Sequence, residues 1–334
     1  MSAKKSQPRV MLLPHQRHPV KISSLIKNLI PSLLGARQLH PYHGRLAPLL
    51  RVAAVELRPS PAPGGGTPGV QSCAPFPAFP DESCTGVPSG IQMQTISGGF
   101  STTGNGQTIS GKLITGELVV DHNNVTVVNS RIKGRIIYSG TGLTLRDVDL
   151  GPDACPGSST GTRLLAGNDF TLTRVHMHNN GDDLLALTGG GNITIRDSLF
   201  NKTCYYPGDH LDAIQYYHPG GVPNVTIEHN RIDARASNIS GNGNAAVFWA
   251  DSPGAGARLT LKNNLFAGGN YTVYALDAPA GSGVVIDVNA NRLFAIHIPG
   301  PCSTSNSIAF NGTSGVKWSG NAFTDGAPIP LSAC

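Results

Sequence analysis

Charge is scarce in this 334-residue chain: Asp, Glu, Lys and Arg make up only 13% of it, and aromatic residues 6%. So little charge argues against a helical bundle. No apolar run approaches the ~18 residues of a transmembrane helix, so no membrane partner is expected. No CxxC spacing suits zinc. No phosphate-binding glycine loop or basic cluster in the body suits nucleotide or nucleic acid. The chain is rich instead in glycine (41) and proline (25), with much Asn, Ser and Thr. That composition belongs to an all-β chain with many tight turns.

The net charge of +5 is unevenly divided. Residues 1–62 hold ten Lys or Arg against Glu56 alone, whereas 63–334 carry 15 bases and 19 acids. The apolar stretches "SSLIKNLIPSLLGA" and "LAPLLRVAAVEL" are interrupted by Lys27, Pro31 and Arg51, which leaves no clean secretory signal. The leader reads as disordered or mis-started, with an atypical export signal and a functional basic tail as the other readings. "RPSPAPGGGTPG" (58–69) is a Pro/Gly linker. The expected division is a disordered basic leader and linker over 1–72 and one domain over 73–334.

All six cysteines follow the linker, an even count that favours disulfides. The preferred pairs are Cys73 with Cys84 and Cys302 with Cys334, clipping the two ends, and Cys155 with Cys204, joining two insertions. Disulfides point to an extracellular or cell-surface protein.

One pattern recurs eight times: "VTVVNSRI" (125–132), "LTLRDVDL" (143–150), "FTLTRVHM" (170–177), "ITIRDSLF" (193–200), "VTIEHNRI" (225–232), "LTLKNNLF" (259–266), "VVIDVNANRL" (284–293) and "VKWSGNAF" (316–323). Each begins as a half-buried period-2 strand, then carries polar residues whose side chains suit a sharp left-handed bend. Stacking such ~20-residue units buries their Val, Ile, Leu and Phe in one continuous core, which makes a parallel β-helix, a solenoid. With these repeats, and with "ESCTGVPSG" as an opening cap, the chain resembles the right-handed parallel β-helix proteins of the pectin-lyase-like superfamily over about residues 85–325. The resemblance implies a single right-handed coil with disulfide-clipped ends. It also implies a polysaccharide as partner.

Between the repeats runs a second set of strands, including "RLLAGN" (163–168), "DLLALTGG" (183–190), "DAIQYYHPGG" (212–221) and "AAVFWAD" (245–251). Equivalent positions on stacked coils lie about 4.8 Å apart, so Arg135, Arg163, Asp183 and Asp212 are expected in one row. Asp182, His176 and His178 in "HMHNNGDD", and Asp209 and His210 in "GDHLD", would flank it. Adjacent carboxylates raise one another's pKa and can divide into acid and base. Asp183, Asp212, Asp182 and His210 are therefore the catalytic candidates. Arg163, His178, Gln215, Tyr217 and Trp249 are the substrate-binding ones, with Gln215 facing a cleft and Ile214 in the core. Asp182, Asp183 and Asp212 could alternatively hold Ca²⁺; otherwise no cofactor is expected. "GDDLLAL" is similar to the Asp-Asp strand of polygalacturonases, and "HLDAIQ" to their Asn-Thr-Asp strand, but in reversed order and with no Gly-His-Gly.

Two functions follow as expectations. One is an extracellular lyase, glycosidase or epimerase acting on an acidic polysaccharide. The other is a non-catalytic β-helix: an adhesin, a carbohydrate-binding protein or a phage-tail-like component.

Overall fold

The structure, a computed structural model, describes residues 71–334 apart from 217, 240–242, 250–252, 275, 296–299 and 304–311. The leader up to residue 70 and Tyr217 therefore lie outside the described residues.

The described chain is all-β and built on two parallel sheets, one of 17 strands and one of nine. In the first two repeats one strand of the longer sheet runs through the corner, Thr126–Ile132 and Leu143–Leu150, and each later repeat becomes two short strands separated by a corner, as in Phe170–Thr173 with His176–His178 and Arg258–Lys262 with Leu265–Ala267. Register repeats from coil to coil. Leu143, Phe170, Ile193, Val225, Leu259, Ile286 and Val316 are successive partners. All but the half-buried Val316 are buried, and they line one face of a continuous core. The intervening strands form the shorter sheet, where Leu165, Leu185, Ile214, Val247, Val273 and Cys302 make the facing column.

The corners explain the polar part of the repeat. Asn129, Asp147, Arg174, Asp197, His229, Asn263 and Ala290 all have φ between 50° and 57°, the left-handed region that Asn and Asp tolerate best. The residue after the corner turns inward. Asn230, Asn264, Asn291 and Asn321 form a buried ladder, each side-chain amide donating to the next carbonyl oxygen at 3.0 Å. The same oxygens accept main-chain N–H groups at 2.9–3.0 Å, so the bend leaves these polar groups paired.

Disulfides join Cys73 to Cys84, Cys155 to Cys204 and Cys302 to Cys334. Cross-links of this kind persist in oxidising compartments.

Candidate functional site

In the shorter sheet the strands Leu165–Gly167, Leu185–Leu187 and Asp212–Tyr216 stack in register. Counting back two residues sets Arg163, Asp183 and Asp212 level with one another. Arg135 does not join them: Ile136 pairs with Leu165, which sets Arg135 beside Leu164, and its Nε binds Glu117 Oε1 at 2.8 Å.

Asp183 and Asp212 share the inward parity of Leu185 and Ile214, and both are 0% exposed. Asp183 Oδ1 accepts the Asp212 N–H at 2.8 Å and its Oδ2 the Arg163 Nε–H at 3.2 Å. Asp182 Oδ1 accepts the Asp183 N–H at 2.8 Å. Asp212 Oδ1 accepts from Asn244 Nδ2 at 2.9 Å. Its Oδ2 lies 3.3 Å from His210 Nδ1, within charge-pairing distance but off the line of a hydrogen bond.

Burial, reinforced by the Asp212 charge, pushes the Asp183 carboxyl up to about 7. Burial also raises Asp212, against the pull of His210 and Asn244. His210, 59% exposed, is raised by its Asp212 partner against its own partial desolvation. The three aspartates do not suit Ca²⁺. A hard cation takes six to eight oxygens, whereas here Asp183 already receives an amide and a guanidinium donor, and Asp212 and Asp182 an amide donor each.

The next strands of the shorter sheet, Ala245–Trp249 and Tyr271–Tyr274, carry side chains that the sequence reading missed. Phe248 stacks on Tyr274 at 4.9 Å, Tyr274 on Tyr271 at 5.1 Å, and the His210 ring meets Phe248 edge-on at 5.3 Å. Gln215, paired in register with Phe248, has outward parity yet is only 6% exposed, so it does not line an open cleft. Trp249 is corrected too. It points into the core at 2% exposure, stacked on Tyr216 at 4.4 Å, and has no face for a ligand.

His176 and His178 also part from the expected cleft. They belong to the longer sheet, where His176 is level with Asp149 on the preceding coil. They line a cavity of about 480 Å³ together with Glu82, Arg131, Asp149, Asp153 and Lys202. Aligning the repeats one residue at a time would have put Arg131, Asp149 and His176 in this column, since each lies two residues past its corner.

Among known proteins, no family model, no curated protein and no solved structure matches this chain.

Proposed function

We propose that this chain is a secreted right-handed parallel β-helix of the pectin-lyase-like kind that acts on an acidic polysaccharide laid across the outer face of the shorter sheet. The observation carrying the reading is His210: exposed, backed by the buried Asp212 carboxylate, and set against an outward row of aromatic rings. An imidazole held by a buried carboxylate is an effective proton-transfer group. Ring stacks offer apolar faces to sugars, and the half-exposed Arg163 guanidinium offers donors to a uronate carboxylate. Asp183 and Asp212 then act from behind, holding His210 and Arg163, and do not touch the sugar.

A second reading, a non-catalytic carbohydrate-binding solenoid, is favoured by one observation: Asp183 accepts a main-chain N–H from the next coil, the bonding of a structural cap. Incubating the purified chain with polyuronates and with neutral glucans separates the two. New unsaturated ends mean elimination, and reducing ends alone mean hydrolysis. Retained binding with no turnover means the second reading. Loss of turnover in His210→Ala with binding retained is expected, and unchanged turnover overturns the catalytic assignment.

A further inference from the structure

The cavity on the longer sheet holds a cluster that the polysaccharide reading does not use. Asp149 and His176 face each other on adjacent coils, and His178 is two residues further on. One donor atom from each lies within 4.8 Å of the others. His178 Nε2 is 3.1 Å from Asp149 Oδ1 and His176 Nδ1 is 3.7 Å from Asp149 Oδ2. Donors on a tetrahedral ion with bonds of about 2.1 Å lie roughly 3.4 Å apart.

The next groups outward orient this set. Lys202 Nζ, which lines the cavity, holds Glu82 Oε1 at 2.7 Å. Asn201 Oδ1 faces His176 Nε2 at 2.8 Å. An oxygen acceptor there places the His176 proton on Nε2 and the lone pair on Nδ1. That lone pair confronts the Asp149 carboxylate across 3.7 Å, which is too far for a hydrogen bond. Two acceptors facing one another call for a cation between them. His178, 5% exposed, pairs its Nε2 with Asp149 Oδ1 at 3.1 Å and leaves its buried Nδ1 without a hydrogen-bond partner among the described residues.

Arg131 is the competing cation. Its Nε is 3.5 Å from Asp149, but its Nη2 is engaged by Asp153 at 2.7 Å, so it stays paired if an ion takes Asp149. Over the cluster lies the segment tied by Cys73–Cys84. Gly86, at φ 75°, brings its backbone close to His176 and Asp149 and donates to the Arg174 carbonyl at 2.9 Å.

We propose that Asp149, His176 and His178 hold one first-row divalent transition-metal ion of the zinc type, with its remaining coordination positions open to the cavity. Two imidazoles and one carboxylate select such an ion over calcium or magnesium. Asn201 is the positioning residue that turns His176 toward it.

The test uses the full chain stripped with EDTA and titrated with Zn²⁺ by calorimetry and with Co²⁺ by visible absorption. One ion per chain is expected. His178→Gln should weaken binding at least tenfold. Asn201→Ala, which removes no ligand, should weaken it roughly 10- to 100-fold and alter the Co²⁺ spectrum. Asp212→Asn, on the other sheet, should bind as the wild type does, which keeps this result independent of the polysaccharide reading. Circular dichroism confirms that each variant is folded. No saturable binding, equal affinity for Ca²⁺, or wild-type affinity in both folded variants overturns the proposal.

Discussion

Asp212 gives its main-chain N–H to the Asp183 carboxylate on the neighbouring coil at 2.8 Å, while its own carboxylate lies 3.3 Å from His210. Buried acid, second buried acid and exposed imidazole thus form one line from the core to the surface. The ionisation of each depends on the next, and the first two predictions test that dependence.

His210 should titrate above the ordinary imidazole value of about 6.5, because the Asp212 carboxylate favours its cation. Stability drawn from this pair is full below the ordinary value and is lost as pH rises through the raised one. NMR titration of the His210 ring is the measurement. Asp212→Asn should return the midpoint to about 6.5. A midpoint that stays put in the variant removes Asp212 as the cause.

Asp183 acts in the opposite sense. Its folded value of about 7 lies above the unfolded carboxyl value of about 3.9. The folded state therefore keeps a proton that the unfolded chain gives up, and stability declines as pH climbs between those two values. Asp183→Asn keeps an oxygen for the Asp212 N–H without the charge, so the decline should flatten. Urea midpoints taken from about pH 4 to pH 7 decide it. Parallel wild-type and variant curves would contradict the assignment.

The repeats were legible because two signals coincide in six of the eight. Apolar alternation marks the strand, and a residue suited to left-handed φ marks the corner, as at Asn129, Asp147 and Asn263. Arg174 and Ala290 occupy the same corner without that chemistry, and only register with neighbouring coils reveals them. The candidate site was less legible. Period-2 structure sends adjacent residues to opposite faces, and in "AAVFWAD" the choice fell on Trp249, the inward neighbour of the outward Phe248. His178 was grouped with Asp182 by closeness in sequence, although His178 ends a strand of the longer sheet and Asp182 lies in the bend that leads to the shorter one.

The asparagine ladder should be a major source of stability. Asn264→Ala removes the acceptor of the Asn230 N–H and side-chain amide, and the donor to Asn291 Oδ1 and the Ile227 carbonyl. Each buried group left unpaired costs about 1–3 kcal/mol, so a loss of roughly 3 kcal/mol or more is expected in denaturant unfolding. Asn224→Ala, at an exposed Asn–Asn contact, should stay within about 0.5 kcal/mol of wild type. Similar losses at both positions would deny the ladder its special role.

Phe248 and Trp249 are neighbours in sequence with opposite parity, and they should fail in different assays. Phe248 presents a half-buried ring in the outward row, stacked on Tyr274. If sugars lie there, Phe248→Ala costs about 0.5–1.5 kcal/mol of stacking, a roughly 2- to 13-fold rise in the Kd of an oligouronate, with little change in melting. Trp249 fills the core against Tyr216, so Trp249→Ala should cost about 3–5 kcal/mol of folding stability. Whatever fraction of that variant remains folded should still bind. Calorimetric binding beside thermal melting separates the two residues. If Phe248→Ala and Tyr274→Ala both leave oligouronate affinity untouched, the aromatic row is not the binding surface, and the polysaccharide must be sought on another face.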